Sequence, residues 1–380
     1  MSDDRPLKIL HVARAPAGGI FRHMIDLARG QVARGHRVGV IVDSRTGGSR
    51  ADAALAAIAP DLALGVSRFA MRRELGICDV FGLYRVSGRI RELDIDVAHG
   101  HGAKGGAFVR LAAAGRPLIR TYTPHGGSLH YGRRTPRGIV YASLERALMR
   151  RTDLFLFEST FARDAYETAV GPPSGVVRVV HNGLADADFE PIPPAADATD
   201  IVFVGELRRL KGPDVLIDAI ARLRTNGQSV TATIVGEGDQ SGALRTQIGR
   251  LGLTGEVRFL GHVPARQAFS LGRLVVVPSR AESLPYVVME AAAAGMPVLA
   301  TNVGGIPEIF GPLAARLVPP DQPAALAEAI AAALEKPAAL RANAEMLREQ
   351  VRLSFSHSSM VDHVLGAYRD AIAARFTQLH

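Results

Sequence analysis

The 380-residue chain predicts an α/β protein of two doubly wound domains. Three observations lead there: its length, an alternation of buried-strand runs with amphipathic stretches, and a Pro-rich break separating two rounds of that alternation. Domains run to roughly 100 to 200 residues, so this length gives two cores rather than one. Hydrophobic residues make up 47% and charged residues 22%, which excludes a disordered or collagen-like chain. The lone Cys78 cannot form an internal disulfide, and the start MSDDRPLKIL lacks the charged-then-apolar order of a secretory signal. No apolar run reaches the roughly 20 residues that cross a bilayer. The expected compartment is the cytoplasm.

Leu7–Val12 is an apolar run, followed by a Gly-containing loop (13–19) and a segment with apolar residues at Phe21, Met24, Ile25, Ala28 and Val32. That pattern is strand, loop, amphipathic helix. Gly35 stops the helix and His36–Val42 is the next strand, completing a βαβ unit. Strands are expected at 96–99, 117–121, 154–157 and 176–180, with helices near 79–93, 104–114, 138–150 and 159–169. The first domain is thus 1–185. The stretch EPIPPAADATD, 190–200, supports neither helix nor central strand, and the linker is placed at 186–200. A second domain, 201–355, repeats the pattern with strands at 201–204, 231–235, 257–260, 274–277, 297–300 and 316–318 and a first helix at 213–223. The tail 356–376 is helical and is expected to cross back to the first domain.

Charge divides along the same line. Residues 1–180 hold 27 Lys and Arg against 16 Asp and Glu, a balance of +11, and the remainder is −3 within a total of +8. The first half either meets something anionic or reflects a general bias toward arginine.

In open α/β sheets, ligands lie at the carboxyl ends of strands, where helix N-termini stabilise anions. Gly18 and Gly19, in a loop that is not GxGxxG, either let the backbone approach a phosphate or make a tight turn. The loop after the first strand of the second domain carries Arg208, Arg209 and Lys211, a cluster able to neutralise a departing nucleoside diphosphate. Glu282 and Glu290 stand eight residues apart across a strand-to-helix junction, with Pro285 suited to the first helical turn. The apolar residues between them make a solvated face a poor explanation, and buried carboxylates need partners such as sugar hydroxyls or structural cations.

These segments resemble glycosyltransferase family 4, retaining enzymes of the GT-B fold, in which two Rossmann-like domains face each other across a cleft. The resemblance spans nearly the whole chain: Gly18-Gly19, Arg34-Gly35-His36, Ala98-His99-Gly100-His101, Thr123-Pro124-His125-Gly126, His181-Asn182-Gly183-Leu184, Lys211-Gly212, Val235-Gly236-Glu237-Gly238, Phe259-Leu260-Gly261, and Glu282/Glu290 ending in Ala294-Gly295-Met296-Pro297-Val298. It implies that Glu290 binds the ribose hydroxyls and that Glu282 sits at the donor sugar. Amides near Leu284 and Tyr286 would face sugar and phosphate, Gly19 and Lys211 the diphosphate, and Val263 the base through its main chain. His125 would lie by the transferred sugar and its phosphate. The family's Gly-Arg-Leu before Lys-Gly is broken here by Glu206, so either Arg208 or Arg209 takes the arginine's role or the phosphate clamp is weaker.

Two metal-like patterns are discounted. Asp94-Ile95-Asp96 and Asp186-Ala187-Asp188 match DxD but are read as solvated turn carboxylates. His99 and His101 alternate along a strand end and are read as pointing to opposite faces, lining core or cleft, unable to chelate an ion together. No metal and no cofactor are expected.

The resemblance implies transfer of a hexose-type sugar from UDP or GDP to a glycan or lipid-linked acceptor in surface polysaccharide or glycolipid synthesis, with no nucleic acid involved. The alternatives are a nucleotide-sugar 2-epimerase and a non-catalytic nucleotide-sugar-binding partner. The stretch Arg68–Arg91 interleaves arginines with Phe69, Met71, Leu75, Ile77, Val80, Phe81, Leu83 and Tyr84. Either it rests on the inner face of an anionic membrane, making the protein peripheral there, or its apolar residues pack into the first domain's core.

Overall fold

The computed structural model describes residues 5–74, 76–126 and 135–377. The chain forms two compact units, residues 1–183 with 357–380, and residues 184–356.

The first unit runs β1 (Lys8–Ala13), α1 (Gly18–Ala33), β2 (Arg37–Asp43), α2 (Gly48–Ile58), β3 (Val66–Phe69), α3 (Cys78–Leu93), β4 (Val97–His101), α4 (Gly102–Leu111), β5 (Ile119–Thr123), α5 (Pro136–Met149), β6 (Leu154–Phe157), α6 (Thr160–Ala169) and β7 (Val176–Val179). Its sheet has the order β3-β2-β1-β4-β5-β6-β7, and the pairings are parallel. Helix-covered parallel strands are buried on both faces, which is why β1, KILHVA, and β6, LFLF, read as apolar runs interrupted only by Lys8 and His11. Ser159 caps α6 by accepting a hydrogen bond from the Ala162 amide. The C-terminal helix His357–Thr377 belongs to this unit: Met360, Val361, Val364, Leu365 and Tyr368 pack with Leu7, Ile9, Leu27 and Leu154. It comes so close to α1 that a Cβ at Gly30 would lie 2.3 Å from a Val361 methyl.

The second unit runs β8 (Thr199–Val204), α7 (Pro213–Thr225), β9 (Ala232–Val235), α8 (Ser241–Leu251), β10 (Val257–Leu260), α9 (Ala265–Phe269), β11 (Gly272–Val277), α10 (Tyr286–Ala293), β12 (Val298–Ala300), α11 (Ile306–Phe310), α12 (Pro323–Glu335) and α13 (Pro337–Ser354). Its parallel sheet has the order β10-β9-β8-β11-β12. The strand expected at 316–318 is only an isolated bridge between Val318 and Thr301, after a 3-10 turn at Gly311–Arg316. A short run beside a proline pair finds no room for a ladder. The Pro-rich stretch read as a linker packs here: Phe189 is buried, the Ile192 amide donates to the Ala294 carbonyl, and the Ala195 amide to that of Ser270.

Candidate functional site

A doubly wound sheet leaves a ligand crevice where its winding order reverses, at the carboxyl ends of the two strands that flank the reversal. Those strands are β1 and β4 in the first unit and β8 and β11 in the second. In the second unit the chemistry-bearing side chains follow both strands, whereas in the first His11, His99 and His101 lie on β1 and β4 and His125 follows β5.

In the second unit Lys211 ends a 3-10 turn after β8, and Glu282 follows β11. Gly212 makes their approach possible: its φ is +67°, and a Cβ there would lie 2.0 Å from the Pro278 carbonyl oxygen. Lys211 Nζ donates to both carboxylate oxygens of Glu282, at 2.7 and 2.8 Å. Ser279 Oγ donates to Glu282 Oε1 at 2.7 Å, and Thr301 Oγ1 donates to the Ser279 carbonyl at 2.6 Å. Glu282 is 7% exposed, so it is a buried charge that is both paired and hydrogen-bonded, the condition under which such burial is tolerated. The loop after β12 closes over it, with Gly304 at φ +60° in a place where a Cβ would meet the Glu282 carbonyl oxygen at 2.0 Å.

The sequence reading missed the brace of this site. Arg280 donates a fork of two 2.7 Å bonds to Asp214, a third bond to Asp321 at 2.9 Å, and a fourth to the Arg209 carbonyl at 2.8 Å. It thereby ties the loop after β8 to the loop after β11. Its hydrogen bond to Asp214, opposed by burial, raises the guanidinium pKa above its usual value. The available signal was an arginine two residues before Glu282 and an aspartate in the first turn after Lys-Gly, which no spacing rule connects.

Glu290 is half-buried inside α10, and Leu284 and Tyr286 are buried at its start, where no side chain caps the helix. Val263 lies between β10 and α9, packed against the core. Arg208 is 3.3 Å from Glu206, the residue in the family arginine's place, so the charge of one offsets the other. The exposed side chain of Arg209 makes no ion pair among the described residues.

In the first unit, Gly18 and Gly19 open α1 on the exposed side, with Gly18 at φ +69° and no side-chain cap on the helix. Uncapped helix starts suit anions. His125 follows β5 at φ +52°, and its Nε2 is 3.1 Å from His101 Nδ1. Around it lies a cluster of buried histidines, His11, His23, His99 and His101. Here the expectation that His99 and His101 face opposite ways is overturned. Residues two apart on a strand share a face, and the two rings have centroids 4.0 Å apart. His11, paired in register with His99 on the neighbouring strand, joins them.

Ring nitrogens of His11, His99 and His101, and of His23, His101 and His125, lie within 4.8 Å of one another, a spacing that allows shared metal ligation. These nitrogens also have protein partners. His99 is bonded to the Tyr368 hydroxyl at 2.7 Å and to Thr123 Oγ1 at 2.8 Å, and His11 to Gln31 at 2.8 Å and to His101 at 3.0 Å. Burial lowers the pKa of every ring in the group: His11 to about 4, His23, His99 and His101 well below the usual value, and His125 below it despite the opposing pull of Glu158. The cluster is therefore neutral at pH 7.

The DxD patterns are structural. Asp96 is not a solvated turn carboxylate: it is 5% exposed, paired with Arg5 and Arg116, and accepts the Lys8 amide. Asp188 accepts the Ala185 amide within its turn. The arginine-rich stretch 68–91 divides. Met71, Val86 and Ile90 enter the core, with Phe69 and Leu83 packed against it, while Ile77, Val80, Phe81 and Tyr84 are 82%, 68%, 69% and 72% exposed. Leu75 lies outside the described residues.

Family models match both units. "Glycosyltransferase Family 4" matches residues 17–187 and "Glycosyl transferases group 1" residues 185–352. The chain is 30% identical over 337 residues to a D-inositol 3-phosphate glycosyltransferase of Catenulispora acidiphila, covering 81% of this chain and 78% of that protein. It is 30% identical over 233 residues to a glycogen synthase of Mycobacterium tuberculosis, covering 60% of this chain and only 56% of that protein, so the match spans little more than half of that relative. The solved structure of Anabaena HepE in complex with UDP and glucose superposes with a TM-score of 0.78 at 22% identity, over 95% of this chain and 98% of that one.

Proposed function

The chain belongs to glycosyltransferase family 4, with a fold of the GT-B type, and on that premise we propose that it transfers a hexose-type sugar from a UDP- or GDP-sugar to a glycan or lipid-linked acceptor. The observation that carries this reading is the Lys211–Glu282 pair, set at the strand ends of the second unit and braced by Arg280. A paired, half-accessible ammonium beside a buried carboxylate suits a ligand with a diphosphate at one end and sugar hydroxyls at the other. Glu290 holds the ribose hydroxyls. Leu284 and Tyr286 offer main-chain amides to sugar and phosphate, and Val263 meets the base. Gly18 and Gly19 present amides to the diphosphate from an uncapped helix start. Arg209 takes the family arginine's part, because Arg208 would first have to leave Glu206.

The reaction proceeds with retention by front-face attack. The acceptor oxygen bonds to the anomeric carbon as that carbon's bond to the phosphate oxygen breaks, and the departing oxygen takes the hydroxyl proton. Lys211, Arg209 and main-chain amides stabilise the charge that develops on the leaving diphosphate, so no metal is required. The setting is cytoplasmic. Exposed Ile77, Val80, Phe81 and Tyr84, flanked by arginines, favour work at an anionic membrane surface in surface polysaccharide or glycolipid synthesis.

A thermal-shift screen of nucleotide sugars, followed by turnover of those that bind, tests the reading. Glu290→Gln is expected to raise KM for the donor, and Glu282→Gln to lower kcat about 100-fold, since one carboxylate holds the ribose and the other the reacting sugar. Activity should persist in excess EDTA. Full activity in both variants would remove the site assignment, and loss in EDTA reversed by manganese or magnesium would remove the metal-free mechanism.

A further inference from the structure

Four side chains of the first unit are hydrogen-bonded in series. Gln31 Oε1 lies 2.8 Å from His11 Nε2, His11 Nδ1 lies 3.0 Å from His101 Nε2, and His101 Nδ1 lies 3.1 Å from His125 Nε2. A neutral imidazole has one donor nitrogen and one acceptor nitrogen, so a choice made at one end of such a chain fixes every ring in it. The rings are neutral because burial disfavours their charged forms. His23, with its ring 5.0 Å from that of His125, is neutral for the same reason, and Glu158 is the carboxylate facing His125.

The choice is made at Gln31. Its amide oxygen can only accept, so His11 Nε2 carries the proton. His11 Nδ1 then accepts from His101 Nε2–H, and His101 Nδ1 accepts from His125 Nε2–H. The series ends on a carboxamide, which does not relay protons at neutral pH. It orients and does not conduct.

We propose that Gln31, His11 and His101 are positioning residues that hold His125 as the Nε2–H tautomer, leaving Nδ1 as a hydrogen-bond acceptor for a substrate hydroxyl. This deepens the glycosyltransferase reading and rests on it for the identity of the substrate. His125 Nδ1 has no hydrogen bond among the described residues, and the side chain is partly accessible. An acceptor nitrogen repels phosphate oxygens, which are acceptors themselves. His125 therefore reads a sugar or acceptor hydroxyl and not the diphosphate. The sequence resemblance, which put His125 near both sugar and phosphate, is narrowed to the sugar.

The test is long-range proton–nitrogen correlation on the full chain with ¹⁵N-labelled histidine at pH 7, each ring assigned by its substitution. His11, His101 and His125 should each show a protonated Nε2 and a bare Nδ1. Gln31→Leu should convert His125 to a tautomer mixture and lower kcat about tenfold with KM for the nucleotide sugar unchanged, whereas Gln31→Glu, whose carboxylate also only accepts, should keep the tautomer and restore kcat to within about threefold. A protonated Nδ1 or an imidazolium at His125 would overturn the proposal. So would a stoichiometric metal ion in the purified protein, because the lone pairs would then be spent on it, and so would a Gln31→Leu variant unchanged in spectrum and kcat. The wild-type spectrum reads the proposal without any variant. Failure of the transferase reading shows separately, as absence of turnover with every nucleotide sugar.

Discussion

The two units solve one problem, keeping polar groups at the carboxyl ends of a buried parallel sheet, in opposite ways. The first buries histidines and keeps them uncharged, with His11, His101 and His125 bonded in series. The second keeps a charged lysine and glutamate and surrounds them with partners: Ser279 on the carboxylate and Arg280 across the loops. The one histidine of residues 184–356, His262, is exposed. A neutral hydrogen-bonded series needs no counter-charge but depends on pH, whereas a charged pair tolerates pH better but depends on every partner being in place.

The largest effect should come where the first unit departs from its own rule. Arg110, 1% exposed, donates to Glu145 at 2.7 and 3.2 Å and stacks 3.8 Å above the Tyr122 ring, while the Tyr122 hydroxyl donates to the same carboxylate at 2.9 Å. Removing one partner leaves the other buried and charged, which costs about 3 to 5 kcal/mol. Arg110→Ala should destabilise the first unit by that much, read by urea-dependent hydrogen exchange resolved by mass spectrometry, with residues 184–356 unchanged. Equal protection in variant and wild type would mean that the pair is not closed in solution.

Acid should separate the units next. A histidine whose folded pKa lies below its unfolded value binds its proton mainly in the unfolded state, so stability rises with pH between the two values. For His11 that window runs from 6.5 down to about 4. The stabilisation is complete above the unfolded value and is lost as pH falls through the folded one, roughly 3 kcal/mol for this ring alone. His23, His99, His101 and His125 are shifted in the same direction. Between pH 7 and pH 4 the first unit should lose exchange protection well before the second. Simultaneous loss in both would show that buried histidine is not what distinguishes them.

What the sequence disclosed follows the same division. Strands and helices read well wherever a buried parallel strand writes a continuous apolar run, as at β6 and at 274–277 of β11, because burial on both faces leaves no other pattern. β3, with its four residues only partly buried, gave no such run, and α2 was also passed over. The acidic pair and Lys211 were legible because glycine, proline and charge punctuate their loops. Arg280 was not, since its partners Asp214 and Asp321 stand 66 and 41 residues away and only the fold joins them. The histidine series was hidden by a misjudged strand period, which sent His99 and His101 apart when the pleat brings them together.

The smallest effect on stability should belong to the feature with the most to say about the acceptor. Ile77, Val80, Phe81 and Tyr84 recur at helical spacing along the start of α3, so they lie on one face, and they are exposed while Val86 and Ile90 of the same helix enter the core. Arg72, Arg73 and Arg85 are exposed beside them. Apolar side chains that enter a membrane interface, with arginines left to meet lipid phosphates at about 1 kcal/mol each near the surface, would give a reversible, salt-sensitive attachment. The purified protein should sediment with anionic vesicles at low salt, much less at high salt, and not with neutral vesicles. Phe81→Ser with Tyr84→Ser should abolish that binding, yet change unfolding free energy by less than about 0.5 kcal/mol, since neither ring contributes to the core. Sedimentation that persists in the double variant would move the contact elsewhere on the arginine-rich half. Absence of binding by the wild type at low salt would leave the protein acting on an acceptor in solution, and the contrast between the units would then be one of internal chemistry alone.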